Sequence, residues 1–133
     1  MIEIRNLSKS FGEKNIFDNI NINFHDNKTY AIVGESGSGK TTLLNIIAKL
    51  EEKDRGTILY NSTDLDKIDE HKFFRDYLGY LFQNLGLIES ESVDYNLELA
   101  FVGKKINKSE KIRLKKEALD KVNLSYIKLD TKV

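Results

Sequence analysis

Residues 34–41 read Gly34-Glu35-Ser36-Gly37-Ser38-Gly39-Lys40-Thr41, and they match the phosphate-binding pattern G-x-x-x-x-G-K-S/T at every fixed position. Glycines at 34, 37 and 39 open backbone angles that a Cβ closes, and they let the main chain come close to a ligand. Successive N–H groups can then converge on an anion. A helix starting near Lys40 adds unpaired N–H groups and the positive end of its dipole. In this pattern Lys40 is expected to reach the β- and γ-phosphates, and the Thr41 hydroxyl to ligate Mg²⁺. Magnesium keeps most of its waters and takes phosphate oxygens, so one protein hydroxyl is enough.

Such a loop needs a strand before it and a helix after it. Tyr30-Ala31-Ile32-Val33 is a short apolar run that reads as a buried strand, and residues 42–50 read as a helix. Leu43, Leu44, Ile46, Ile47 and Leu50 cover most of that helix's circumference, which predicts burial against a sheet. Upstream, Ile2, Ile4 and Leu7 alternate with polar residues, as do Ile16-Phe17 and Ile20, Ile22 and Phe24. These predict antiparallel strands, with residues 8–14 as a loop that carries Phe11 and Gly12. Downstream, Gly56 permits a turn before a strand bearing Ile58 and Tyr60. Asp69 is the expected N-cap of a helix over 69–77.

Residues 78–82 form a second apolar strand, with Gln83 at its C-terminal end. A loop is expected over 84–91 and a helix over 92–102. Asn107 and Glu110 have the spacing of a capping box. The helix they open places Ile112, Leu114, Ala118, Leu119 and Val122 on one broad face and its lysines on a solvated one. The fold class is therefore α/β.

Composition narrows the function classes. The 133 residues carry 21 basic and 21 acidic side chains, and this zero net charge gives no electrostatic case for nucleic acid or an anionic membrane surface. With no Cys there is no disulfide framework and no thiolate metal site. No apolar run reaches the roughly 18 residues that span a bilayer, so membrane association is expected only through a partner. Asp64, Asp66 and Asp69 resemble a calcium loop, but Asp69 stands where its glycine belongs and Ile68 where a polar ligand belongs, so that site is rejected.

Taken in order, the antiparallel strands with an aromatic loop residue, then GESGSGKTT, then Gly56-Thr57-Ile58, then Leu81-Phe82-Gln83, resemble the ATP-binding cassette of ABC transporters. The likeness runs through residues 1–102, and the last helix suits the family's helical subdomain. Within the family, the wording is similar to ATP-binding subunits of bacterial exporters of bacteriocins, antimicrobial peptides or lipoproteins. The resemblance implies a P-loop nucleotide-binding core over 1–83 with an N-terminal antiparallel β subdomain. Residues 84–133 would then hold the Q-loop and the start of the helical subdomain.

It also implies site roles. Phe11 matches the aromatic position that stacks on adenine. Gln83 matches the Q-loop glutamine that contacts Mg²⁺ or the attacking water. Gly34, Ser36, Gly37, Ser38, Gly39, Lys40, Thr41 and Thr42 would hold the phosphates. Lys40 and Gln83 become the catalytic residues, and Thr41 and Gln83 the metal ligands. ATP and Mg²⁺ are the implied cofactors; a transmembrane permease subunit and a second cassette are the implied partners.

The family's later elements have no counterpart here. A signature of the L-S-G-G-Q kind, an apolar strand ending in Asp and a catalytic Glu, and a switch His are missing. His25 and His71 come too early and read as surface residues, and Asp94 and Glu98 sit in a helix with no apolar strand before it. The chain is therefore expected to be the N-terminal part of a cassette, cut before the signature, binding ATP without hydrolysing it. The competing readings are a non-transport ABC ATPase, a scaffold with a degenerate site, and a GTPase-like switch. The last rests on Asp76-x-x-Gly79 and on Asn107-Lys108-Ser109-Glu110, where Glu110 replaces the Asp that would read guanine.

Overall fold

The computed structural model describes residues 1–84 and 86–133; Leu85, inside the loop expected over 84–91, lies outside the described residues. Two compact units result, Met1–Tyr80 and Leu81–Val133.

In the first unit, strands β1 (Ile2–Phe11), β2 (Lys14–Phe24), β3 (Arg55–Tyr60) and β4 (Thr63–Asp64) form one antiparallel sheet in the order β2-β1-β3-β4. Ile4 lies opposite Ile22 on one side and Ile58 on the other. A bulge at Asn6, with φ 52°, then resets the alternation, so that buried Ile4 is followed on the covered face by Leu7 and Lys9. The expected loop over 8–14 shrinks to Gly12-Glu13, because β1 continues to Phe11, which pairs with Lys14.

Helix α1 (Lys40–Ile47) packs Leu43 and Ile46 against Ile4, Leu7, Ile58, Leu65 and Phe73. The apolar residues of the expected helix over 42–50 are less covered than their number predicts: Leu44 in α1 is 46% exposed, and Leu50, beyond its end, is 42% exposed. Helix α2 (Glu70–Asp76) is capped by Asp69, whose carboxylate accepts the Lys72 N–H at 2.8 Å, and it buries Phe73.

The two apolar runs expected as strands, 30–33 and 78–82, are not strands. A strand exists as a ladder, and among the described residues the sheet's ladder is made by β2, β1, β3 and β4. Val33 is 87% and Leu81 76% exposed as a result. A cavity of 640 Å³ opens beside Tyr30, Ile32, Leu44 and Ile47, where a fully apolar strand would have its second covered face. Tyr80 is nonetheless tied to α1, since its hydroxyl donates to the Asn45 side-chain oxygen at 2.6 Å.

In the second unit, α3 (Val93–Glu98) continues into a 3₁₀ turn (Leu99–Phe101), and α4 (Lys108–Lys121) follows. Asn107 caps α4 by accepting the Glu110 N–H at 2.9 Å, but Glu110 turns to Arg113 instead of reaching back, so only half of the capping box forms. The covered face of α4 also differs from the expected one. Leu119 is buried, whereas Ile112, Ala118 and Val122 are exposed, and Lys115 is buried at 3% exposure. The lysines of α4 are therefore not all solvated. The chain's last residues return to α3, with Val93 N–H donating to the Thr131 carbonyl at 2.8 Å and Asp94 N–H to that of Leu129 at 2.7 Å.

Candidate functional site

The glycine loop joins residue 33 to α1 and is solvent-facing over residues 33–38. Gly37 and Gly39 take φ of 78° and 92°, the left-handed region that L side chains rarely enter. The loop closes on itself through Ser38 N–H to the Glu35 carbonyl at 3.2 Å. The first helical bond runs from Leu43 N–H to the Gly39 carbonyl at 2.8 Å, and no side chain caps the helix. The N–H groups of Lys40, Thr41 and Thr42 therefore precede the helix's own ladder and point out of its N-terminus. The Lys40 ammonium curls over the loop and donates to the carbonyls of Gly34 at 3.0 Å and Glu35 at 2.7 Å. Positive charge, uncapped N–H donors and glycines open to close approach thus lie on one short exposed segment, which suits a phosphate chain.

The β1–β2 hairpin flanks this loop. A Cβ on Gly39 would meet Ile16 Cγ2 at 2.5 Å and Phe17 Cε1 at 2.9 Å, so β2 lies directly against the loop's last glycine. At the hairpin tip Phe11 is 47% exposed, and the ammonium of Lys9 sits 4.5 Å from its ring centroid. Lys14, paired with Phe11 across the hairpin, brings its ammonium to 3.9 Å from the point where a Gly37 side chain would begin. Sequence reasoning missed Lys9 and Lys14. Their signal was position, two residues before and three after the aromatic, but one lysine among many carries no mark until a strand orients it.

Gln83 belongs to the second unit, where it is exposed in a turn with Asn84. The same unit holds a charged cluster that engages the carboxylates of α3. Lys115 Nζ lies 2.8 Å from Asp94 Oδ1 and 2.7 Å from Glu98 Oε2, and Lys111 also pairs with Glu98. Burial pulls the Lys115 pKa down, but the hydrogen bonds to Asp94 and Glu98 outweigh it and the net shift is upward. The Glu98 carboxyl is held below its ordinary value, first by its hydrogen bond from Lys111 and then by that from Lys115. A carboxylate so stabilised is a poor proton acceptor. Both histidines are exposed, in accord with surface roles.

For Mg²⁺, the exposed Thr41 hydroxyl at the head of α1 is a suitable single ligand beside phosphate oxygens. Among the described residues no cluster of His, Cys, Asp or Glu forms a separate metal site. No helix of the described residues is long and apolar enough to cross a membrane.

The sequence profile of the family described as ABC transporter matches residues 17–133. The chain belongs to the ABC transporter family. Within it, the chain is 33% identical to the macrolide export ATP-binding/permease protein MacB of Campylobacter jejuni subsp. jejuni over 99% of its own length and 21% of that protein. It is 39% identical to a tyrosine transport ATP-binding protein of Clostridioides difficile, covering 99% of this chain and 55% of that one. Its fold matches the dimeric structure of MJ0796, a bacterial ABC transporter cassette, with a TM-score of 0.81 and 28% identity over 99% of this chain and 61% of that chain. The chain thus spans about a fifth to three fifths of the proteins it resembles. Its ABC architecture is the P-loop core's antiparallel sheet and loop-bearing helix, followed by helices.

Proposed function

We propose that this chain is the ATP-binding part of an ABC transporter's nucleotide-binding subunit, and that it binds Mg·ATP without hydrolysing it. The observation that carries the reading is the exposed loop at residues 34–42, where the Lys40 ammonium folds onto the Gly34 and Glu35 carbonyls at the uncapped N-terminus of α1 and Thr41 follows as an exposed residue. Gly34, Ser36, Gly37, Ser38, Gly39, Lys40, Thr41 and Thr42 would hold the phosphates. Lys40 would neutralise charge on the β- and γ-oxygens, and Phe11 would stack on the base. Bound Mg²⁺ would add charge neutralisation on the same oxygens, with the Thr41 hydroxyl as a protein ligand; Gln83 would keep the Q-loop role that the family implies.

Phosphoryl transfer in phosphate-loop enzymes is mostly positioning and electrostatic stabilisation, with a residue that orients or deprotonates the attacking water. Here Asp94 and Glu98 are committed to Lys115 and Lys111. That leaves the binding half of the chemistry, with residues 1–83 as nucleotide-binding core and 84–133 as Q-loop and helical subdomain.

In the whole protein the partners would be a transmembrane permease and a second cassette, at the cytoplasmic face of the membrane. The likeness to a macrolide exporter and to exporter-type wording supports export. Other relatives are import proteins, so the direction would be chosen by the membrane subunit.

Calorimetric titration of Mg·ATP and Mg·GTP into the intact chain and into Lys40→Ala tests the reading. ATP should bind in preference to GTP, with about a tenfold or greater loss in Lys40→Ala, as removal of a charge-assisted contact predicts. Preference for GTP, or no binding of either nucleotide, would sink it. Phosphate release above the Lys40→Ala background would overturn the claim that this chain does not hydrolyse ATP.

A further inference from the structure

Lys9 stands out in the first unit because a lysine is almost never buried without a partner, yet this residue is 6% exposed. The bulge at Asn6 puts it on the covered face of β1, two residues after buried Leu7 and two before Phe11. Its ammonium has two kinds of neighbour. It donates to Glu51 Oε1 at 2.7 Å and lies 3.9 Å from Asp54 Oδ1. It also sits over the Phe11 ring, 4.5 Å from the centroid, within cation–π range.

The strand end is fastened at the same place. Asp54 accepts the Ser10 N–H at 2.7 Å through its side chain, and its own N–H donates to the Ser8 carbonyl at 3.0 Å. Glu51 and Asp54 belong to the segment that follows α1, the helix opened by Lys40 and Thr41. One continuous path therefore runs from the phosphate loop through α1 and Glu51 to Lys9, and from Lys9 to the Phe11 ring.

We propose that Lys9 is a positioning residue for the nucleobase. It fixes the Phe11 ring by its cation–π contact, and its carboxylate partners fix Lys9 relative to the phosphate loop. This inference rests on the reading of Phe11 as the base-stacking residue. With the cation against one face and the ring 47% exposed, the ring keeps a surface for an incoming base. Holding it in advance lowers the ordering cost of binding. A purely structural ion pair between Lys9 and Glu51 would stabilise the fold without distinguishing ligands that have a base from ligands that lack one.

That difference is the test. Mg·ATP and Mg·tripolyphosphate are titrated into the whole chain and into Phe11→Ala, Lys9→Met, Lys9→Arg and Glu51→Gln, with folding checked by circular dichroism. Phe11→Ala should weaken ATP about tenfold, as loss of a base–aromatic stack predicts, and leave tripolyphosphate unchanged. Lys9→Met should weaken ATP alone by about three- to fivefold, and Lys9→Arg should restore most of it. Glu51→Gln, which keeps the ammonium but removes the charge of its nearest anchor, should show a smaller loss of the same kind. If Lys9→Met does not fold, Glu51→Gln decides on the same criterion.

Unchanged ATP affinity in Lys9→Met beside a loss in Phe11→Ala would overturn the positioning role and leave the stacking reading standing. Equal losses for ATP and tripolyphosphate in Lys9→Met would also overturn it. No effect of Phe11→Ala on ATP would remove the stacking reading and this inference together.

Discussion

Phe17 Cε1 lies 2.9 Å from the point where a Cβ on Gly39 would begin. The glycine that lets the phosphate loop turn at φ 92° is therefore also the surface on which the β1–β2 hairpin rests. Ile16 closes the same space from the neighbouring position, at 2.5 Å. Through this contact the hairpin tip, with Phe11 and Lys14, is set beside the loop that would hold the phosphates.

Gly39→Ala should consequently suffer twice, from an unfavourable left-handed φ and from a clash with Ile16 and Phe17. A loss of about 1–3 kcal/mol in chemical denaturation is expected, with weaker ATP binding. Gly103→Ala is the control, because its φ is also positive, at 76°, but nothing lies within 4 Å of its added Cβ. It should cost only the backbone term, about 1 kcal/mol, and leave ATP affinity intact. Equal effects of the two substitutions on nucleotide affinity would refute the packing role of Gly39.

Lys14 brings a second ammonium towards the loop, near Gly37. Lys14→Ala should weaken ATP and tripolyphosphate alike, by about two- to fivefold at low salt, as expected for an exposed charge. The difference should shrink as salt is raised. A loss confined to ATP would mean that Lys14 acts through the hairpin's aromatic instead of on the phosphates.

The cluster of Asp94, Glu98, Lys111 and Lys115 predicts how the second unit responds to pH. Because Glu98 titrates below its ordinary 4.5, its contribution is fully present above pH 4.5 and is lost as pH falls through the folded value. Lys115 is shifted upward from 10.5, so its contribution is present below pH 10.5 and is lost as pH rises through the higher folded value. Thermal unfolding followed by circular dichroism should show a plateau between these limits, and Glu98→Gln should flatten the acid limb. An unchanged acid limb in that variant would show that the cluster contributes nothing to the pH response.

Val33 is 87% and Leu81 76% exposed, in apolar runs that are not strands among the described residues. Such runs invite pairing between chains. The chain is expected to self-associate in sedimentation velocity at high concentration, and Val33→Lys with Leu81→Lys should shift it towards monomer. A clean, folded monomer of the unsubstituted chain across that concentration range would contradict this.

The local chemistry was legible in the order of residues. The run from Gly34 to Thr42 declared a phosphate loop, Asp69 and Asn107 declared caps that form, and the alternation of Ile2, Ile4, Ile20 and Ile22 declared antiparallel strands. These signals are short-range: a glycine's φ, a cap's side chain and a strand's period are properties of a few neighbouring residues. What needed a distant partner was not legible. Residues 30–33 and 78–82 have the composition of buried strands, but a strand is made by the ladder beside it, and composition does not supply one. Lys115 reads as one of a helix's solvated lysines and Lys9 as part of a loop, until the carboxylates of α3 and a bulge at Asn6 turn them inward. The sequence by itself determined that this chain carries a phosphate-binding loop of the ABC kind. Only the tertiary structure decided that the loop's last glycine is a seat for β2 and that Lys9 underlies Phe11, because the first needs Ile16 and Phe17 from a distant strand and the second needs Glu51, 42 positions along the chain, to hold Lys9 in place.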